Sequence, residues 1–375
     1  MQVRAAVLRQ SGLPRPYADS RPLSIENIRL DPPGPGEVLV RIAAAGLCHS
    51  DLSGINGDRP RPLPIALGHE AAGVVEELGA GVDDLRPGDH VVMSFLPVCG
   101  HCAPCSEGRA QLCEPGHAAN RAGVLLSGAR RIRCDDGSLL NHHSGVCAFS
   151  ERAVIHRRSI VRIDPDLPLE QAALFGCGVM TGVGTALNTC RIRPGESVAV
   201  VGLGGVGLSA VLGAVAAGAG RVIAIDLAQD KLDLARTIGA TDTFLATDPD
   251  MAAAVRDLTG GGVDHAMEMA GSARAFGTAF DVTRRGGQTV TAGLANPGTP
   301  FTVPPVTLVG DERAVRGAYM GSCVPSRDIP RYIALFRQGK LPVDRLLSST
   351  GPLEEINEGF DRLDRGEVVR HVILM

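Results

Sequence analysis

The pattern of apolar and polar positions divides the chain into two textures. Early on, "GEVLVRIAAAG" (36–46), "AAGVVEELG" (71–79) and "GDHVVMSF" (88–95) are short, Val-rich runs bounded by Gly, Pro and Asp, a pattern that predicts strands joined by turns. Residues 100–144 show little periodicity and many polar residues and glycines. A loop of that length needs an anchor or a function. From Ser197, "SVAVVGLGGVGLSAVLGAVAAGAGRVIAID" reads as buried strand, glycine turn, helix and second strand. "QDKLDLARTIGA" (229–240) has the helical spacing of apolar residues at 232, 234, 235 and 238, and "GVDHAMEMAG" (262–271) and "GGQTVTAG" (286–293) resemble further strands. Strands alternating with helices predict a parallel, doubly wound sheet, so the fold class is α/β with a β-rich first part. After about Ser322, "IPRYIALFRQGKL" predicts an amphipathic helix, followed by "INEGFDRLDRGEVVRHVILM". The sequence contains no internal repeat and no low-complexity tail.

Length and composition sharpen this. A chain of 375 residues suits two domains, each able to bury its own core. Aromatics are only 3% with no Trp, so the cores are built from Val, Leu, Ile and Ala. The net charge is -4 and there is no basic block, which argues against nucleic acid or an anionic membrane as partner. Ten cysteines in a large chain without an apolar signal core fit metal-bound thiols in a reducing cytoplasm. Val198–Gly220 is uncharged for 23 residues, long enough to span a bilayer. Its seven glycines have another explanation, however, and no membrane span is expected.

Cys99, Cys102, Cys105 and Cys113 read C-x2-C-x2-C-x7-C in "CGHCAPCSEGRAQLC". Four thiolates this close can wrap one tetrahedral ion, and an all-sulfur shell is what a structural zinc prefers. A ferredoxin-type cluster also uses C-x2-C-x2-C, but its fourth step is shorter and followed by proline, whereas Glu114 follows Cys113. Disulfides or scattered core thiols are the remaining alternative.

Gly202, Gly204 and Gly207 form G-x-G-x-x-G around Gly205 and Val206. An apolar strand precedes the motif, an Ala/Leu-rich helix follows, and Asp226 closes the next strand about twenty residues on. The first glycine permits the turn, the second admits a pyrophosphate, the third lets helix and strand pack, and the helix start offers free N–H groups. Asp226 is expected to accept from the adenosine ribose hydroxyls. Its charge repels a 2′-phosphate, which favours NAD over NADP.

Cys48 in "GLCHSD", His69 in "GHEAAG" and Cys177 in "FGCGVMTG" are further ligand candidates. Two thiolates and an imidazole leave the fourth zinc position open. Lone cysteines and histidines are more often buried packing or satisfied polar groups, and spacing alone does not unite residues so far apart.

The chain resembles the zinc-dependent medium-chain alcohol dehydrogenases, of the longer animal-type and class III-like branch. The resemblance rests on "GLCHSDL", "GHEAAGVVEELGAGV", "RPGDHV", the four-cysteine lobe, "GCGVMTGVGTA", "GLGGVGLSAV" and "INEGFDRL", in that order along nearly the whole chain. It implies a GroES-like catalytic domain over residues 1–178 and 322–375 and a Rossmann NAD-binding domain over 179–321. It also implies two zinc ions per chain, with Cys48, His69 and Cys177 holding the catalytic one.

The same resemblance assigns further roles. Asp51 fixes the tautomer of His69, Glu70 lies near the metal, and Ser50 hydrogen-bonds the substrate oxygen. Thr181 touches the nicotinamide side, His49 and Arg370 contact the pyrophosphate, and Lys231 and Leu294 stand near the cofactor. Arg59, Phe95, Ser144 and Leu294 border the substrate, with Phe95 and Leu294 giving an apolar lining.

The implied reaction interconverts an alcohol and its aldehyde or ketone by hydride transfer from a zinc-bound alkoxide to NAD, the proton leaving through Ser50. Many relatives continue that proton path with a histidine where this chain has Ser53. The alternatives are a glutathione-dependent formaldehyde dehydrogenase, a non-enzymatic NAD-binding relative, and the zinc-free quinone or enoyl reductases. The first needs basic contacts to a glycine carboxylate, and "EPGHAA" after Cys113 has no arginine; the last lack the three metal ligands. A homodimer or homotetramer is expected, paired through "RAVRGAYMG" (313–321) as a sheet edge. Cys134, Cys147, Cys190 and Cys323 are taken as buried or incidental.

Overall fold

The computed structural model describes residues 1–375 and divides into two compact units. The first comprises Met1–Cys177, Val324–Pro330 and Leu347–Met375; the second comprises Gly178–Cys323 and Arg331–Leu346. The C-terminal return to the first unit is therefore interrupted. The expectation that 322–375 goes back as one piece is corrected for 331–346, because the helix Pro325–Arg337 crosses the boundary at Pro330.

The first unit holds two sheets. In the larger one the strand order is Ile160–Ile163, His90–Met93, Glu70–Leu78, Glu37–Gly46, Arg370–Leu374 and Leu347–Pro352, with Arg152–His156 also pairing with Glu37–Gly46. The central strand Glu37–Gly46 is buried at nearly every position, which explains why it reads as a continuous apolar run and not as an alternation. A second sheet orders Ile132–Arg133, Leu23–Leu30, Gln2–Leu8, Ile65–Ala66 and Asn141–His142. Aliphatic side chains such as Leu8, Val40, Ile42, Leu47 and Val91 fill the main core, with Phe149 and Phe360 edge to face at 6.0 Å. The stretch 100–144 is more structured than its weak periodicity predicts. It contains the helix Glu114–Ala122 and short strands that dock on the second sheet.

The second unit is one six-stranded parallel sheet in the order Asp242–Leu245, Arg221–Asp226, Ser197–Val201, Val263–Glu268, Thr283–Thr291, Ala314–Gly317. In chain order this is 3-2-1-4-5-6, the doubly wound dinucleotide-binding arrangement. The uncharged run at 198–220 is split between the strand Ser197–Val201 and the buried helix Gly205–Ala216. No single helix is long and apolar enough to cross a membrane.

Candidate functional site

Strand register brings the dispersed candidates together. Gly46 pairs with Glu70 on one side and with Val372 on the other, so Cys48 and His69 lie just beyond the end of the larger sheet at which Arg370 opens its strand. Cys48 caps the short helix His49–Ile55, and Cys177 follows the turn Ala173–Gly176. Residues 67–69 run against 143–149: Ala148 N–H donates to Gly68 O at 3.0 Å and Phe149 N–H to Leu67 O at 3.1 Å. Gly68 makes that approach possible. Its φ is +93°, and a Cβ there would lie 2.5 Å from Phe149 N.

The donor atoms of Cys48, His69 and Cys177 lie within 4.8 Å of one another, and all three residues are buried. Cys48 is held well below an ordinary thiol by the hydrogen bond from Cys177 and by His69, and Cys177 is pushed well above one by Cys48 and by burial. A cation held between these two buried sulfurs would let both be thiolates. Ser50 Oγ lies 3.2 Å from Cys48 Sγ and 3.1 Å from His69 Nε2, at the donor atoms themselves.

On the far side of the ring, His69 Nδ1 is 3.1 Å from Asp51 Oδ1. A carboxylate on the outer nitrogen would leave Nε2 to face a cation. Asp51 is fully buried, and burial pushes its carboxyl upward. His69 and His143 outweigh that and hold it well below the usual carboxylate range. Burial likewise opposes charge on His69, and Asp51 outweighs it. The edge of Phe95 meets the His69 ring at 5.7 Å. Glu70 and Arg370 form a buried pair, Oε2 to Nη1 at 3.5 Å. Burial works against the Arg370 charge, but Glu70, Cys48 and Cys177 raise its pKa. Its Nε and Nη2 have no hydrogen-bond partner in the interior, which is a receptive pair of donors for an anion.

The four lobe sulfurs also lie within 4.8 Å of one another, with Cys99 Sγ and Cys105 Sγ 4.0 Å apart. Sulfurs at the corners of a zinc tetrahedron stand about 3.8 Å apart, given zinc–sulfur bonds of about 2.3 Å. All ten cysteines are free thiols, so no disulfide joins any of them. Backbone N–H groups of Cys99, Cys102 and Gly116 donate to Cys113 Sγ, Cys99 Sγ and Cys113 Sγ at 3.2, 3.3 and 3.4 Å. Burial and neighbouring sulfurs push Cys105 up to about 12, against one N–H from Gly100, while N–H donors overcome burial at Cys99 and bring it down to about 7. The donor set fits a closed sulfur-bound ion.

In the second unit Gly202 has φ +91°, and a Cβ there would strike Ala270 N at 2.8 Å. A Cβ on Gly207 would lie 1.8 Å from Gly202 O. A Cβ on Gly204 would meet nothing within 4 Å, so the space above that turn is open for a ligand. Gly205 and Val206 begin the helix and are half-buried. Asp226 braces the turn: it accepts from Leu203 N at 2.6 Å and Ala228 N at 3.0 Å.

The remaining expected residues are distributed as follows. His49 is exposed on its helix, Lys231 is half-exposed in the helix Gln229–Thr237, Thr181 is buried and Leu294 is 51% exposed. Arg59 is half-exposed and donates its backbone N–H to Ser53 O at 2.9 Å. Ser144 is buried in a left-handed conformation, φ +52°.

Two residues escaped sequence reasoning. His143 Nδ1 lies 3.1 Å from Asp51 Oδ1, and its ring meets that of His69 at 5.3 Å and 89°. Burial holds its pKa below that of an ordinary histidine despite Asp51. Its only signal is the His doublet in "NHHSG", which has no informative spacing to Asp51. Glu268 is buried and accepts from Gly271 N at 2.5 Å and Thr291 Oγ1 at 2.6 Å, fixing the turn after its strand. A lone acid inside the apolar run "HAMEMAG" was its signal.

Known proteins converge on the same class. Residues 34–165 match the alcohol dehydrogenase GroES-like domain, and residues 205–338 match the zinc-binding dehydrogenase family. An NDMA-dependent alcohol dehydrogenase of Amycolatopsis methanolica is 41% identical over 100% of this chain and 99% of its own. The S-(hydroxymethyl)glutathione dehydrogenase of Escherichia coli is 37% identical over 100% of both. The crystal structure of an alcohol dehydrogenase zinc-binding domain protein from Burkholderia ambifaria superposes with a TM-score of 0.94 at 36% identity, covering 100% of this chain and 99% of that one. The chain belongs to the zinc-dependent medium-chain alcohol dehydrogenase family. It is an oxidoreductase of the zinc-binding, nicotinamide-dinucleotide-using kind.

Proposed function

We propose that this protein interconverts a small alcohol and its aldehyde or ketone with NAD, using one catalytic and one structural zinc ion. The observation that carries the reading is the convergence of Cys48, His69 and Cys177 donor atoms within 4.8 Å, with the Ser50 hydroxyl against two of them. Zinc in that three-ligand site supplies Lewis acidity that makes an alcohol hydroxyl acidic near neutral pH. The dinucleotide supplies the hydride acceptor. Ser50 holds the substrate hydroxyl and relays its proton toward solvent, giving up its own hydroxyl proton as it accepts the substrate's, Asp51 fixes the His69 tautomer, and Glu70 balances Arg370 beside the thiolates. His49 and Arg370 hold the pyrophosphate. The unpartnered Nε and Nη2 of Arg370 support its part in this.

Gly202, Gly204, Gly205, Val206 and Gly207 cradle the cofactor, Thr181 and Leu294 face its nicotinamide half, and Lys231 stands near its ribose. Asp226 favours NAD over NADP, because a 2′-phosphate would face a carboxylate. Phe95, Ser144 and Arg59 border the substrate, and aliphatic and aromatic primary alcohols are the first class to test. Cys99, Cys102, Cys105 and Cys113 hold the structural ion.

A second reading follows from the Escherichia coli relative, whose name specifies S-(hydroxymethyl)glutathione. Against it, the segment after Cys113 opens the helix Glu114–Ala122 with an acid, where a glycine carboxylate needs a base. The protein acts in the cytoplasm as a homodimer or homotetramer. The edge strand Ala314–Gly317 and the nearby Val306 and Val309, 76% and 79% exposed, form the pairing surface. The deciding experiment offers primary alcohols, aldehydes and S-(hydroxymethyl)glutathione with NAD, NADP or NDMA, alongside elemental analysis. Two zinc per chain and NAD-linked turnover of simple alcohols are expected. A purified protein with both metals that turns over none of these substrates would refute the reading.

A further inference from the structure

His143 does not belong to the ligand set, yet it converges on the carboxylate that orients it. Asp51 Oδ1 lies 3.1 Å from His69 Nδ1, 3.1 Å from His143 Nδ1 and 3.3 Å from Gly68 N. Three nitrogens crowd one oxygen, while the other, Oδ2, is buried without a hydrogen-bond partner. The Nδ1 of His143 is within reach but not aligned, so it too lacks a hydrogen bond. A buried carboxylate oxygen and a buried imidazole nitrogen left unpaired this close together are costly. A hydrogen bond from His143 Nδ1 to Asp51 would satisfy that nitrogen, and a carboxylate shared in this way would give one oxygen to each imidazole. His143 is well placed for this. It is 2% exposed, its ring stands at 89° to that of His69, and its backbone N–H is fixed to Ala66 O at 3.2 Å on the segment leading to His69.

We infer that His143 is a positioning residue: by donating Nδ1–H to Asp51 it sets the orientation and donor strength of His69 toward the catalytic cation. This rests on the reading of His69 as a ligand. A carboxylate shared between two imidazoles pulls less strongly on the Nδ1–H of His69. The ligand nitrogen is then a weaker donor, and the cation it holds stays more electrophilic.

The test uses the zinc holoenzyme and its cobalt(II)-exchanged form, comparing wild type with His143→Phe, which keeps the ring shape but cannot donate, and His143→Asn, which offers an N–H. Expected for His143→Phe are shifted cobalt absorption bands, altered retention of the catalytic metal against a chelator and a roughly tenfold fall in kcat with little change in KM. His143→Asn recovers most of each. Cobalt bands and metal retention in His143→Phe that match wild type overturn the inference. So does a His143→Asn protein as impaired as His143→Phe. If His143→Phe does not fold, His143→Ala replaces it under the same criteria. Metal content that His69→Ala leaves unchanged overturns the site reading and this inference together. A His69→Ala protein that loses one ion, beside an indifferent His143→Phe, overturns only the inference.

Discussion

The first unit carries two clusters of side chains that could hold a metal ion, built in opposite ways. The lobe cysteines come from fifteen consecutive residues, Cys99 to Cys113, and supply four donors from partly exposed turns. The other cluster draws Cys48, His69 and Cys177 from three distant stretches, supplies three donors and is wholly buried. A local loop can close around an ion almost by itself, so its ion organises structure. The dispersed cluster exists only once strands Glu37–Gly46 and Glu70–Leu78 are in register, so there the fold would organise the ion and supply three of its four ligands. Second partners follow the same division. The lobe sulfurs receive backbone N–H groups from their own loop, whereas His69 meets the side chain of Asp51, which His143 also approaches.

The sharpest way to break this contrast is to remove one donor from each cluster. Cys177→Ala should lower kcat/KM by about four orders of magnitude or more, since it removes the Lewis acid that the chemistry depends on. Elemental analysis should find one zinc per chain in place of two, with a melting temperature close to that of wild type. Cys105→Ser should do the reverse: one zinc is again lost, but thermal stability falls by several degrees or more and the 95–115 segment becomes sensitive to protease. Equal activity loss in both variants, with equal loss of stability, would erase the distinction between the two clusters.

A smaller effect separates metal binding from proton handling within the dispersed cluster. Ser50→Ala should reduce kcat by about 10²- to 10⁴-fold while both zinc ions remain, because the hydroxyl touches donor atoms without being one of the three ligands. Ser53, where many relatives have a histidine, bonds back to His49 O at 2.9 Å and so offers no second relay group pointing onward. A Ser50→Ala protein with wild-type turnover would show that the proton leaves by another route.

The two clusters also differ in how much of them could be read from the sequence. Spacing alone disclosed the lobe, because ligand geometry over a short loop is a local property. The glycine turn was legible for the same reason: strand, Gly202 to Gly207, helix and Asp226 form one continuous segment, and the sheet order follows from its repetition. The dispersed cluster needed the family resemblance, since no local pattern encodes the pairing of Gly46 with Glu70. His143 stayed hidden even then. Its approach to Asp51 depends on the left-handed turn at Ser144 and Gly145 and on the 143–149 segment lying along 67–69, both consequences of tertiary packing. The split of the C-terminal return at Pro330 was hidden too, because one amphipathic helix serves both units without a break in its pattern.

The smallest predicted effect concerns His142, the neighbour of His143 in the chain. His142 is 1% exposed; its Nε2 accepts the backbone N–H of Arg131 at 3.0 Å, and its Nδ1 faces Cys147 Sγ at 3.4 Å. Burial brings its pKa down to about 4, with Glu37 pulling the other way, whereas an unfolded histidine titrates near 6.5. The unfolded chain therefore takes up a proton first as the pH falls. The neutral form contributes its full stability above about pH 6.5, loses it progressively between about 6.5 and 4, and ceases to oppose folding further below that. The gap corresponds to a free energy on the order of 3 kcal/mol. His142→Gln keeps a side-chain acceptor for Arg131 N–H and cannot be protonated in this range. Denaturant midpoints measured from pH 7 to pH 4.5 should fall less steeply for this variant than for wild type. Because none of the hydrogen-bond partners of this histidine is a lobe cysteine, the same difference should persist when Cys105→Ser has already emptied the lobe. Parallel slopes for wild type and His142→Gln would mean that this buried imidazole does not set the acid limit of the fold.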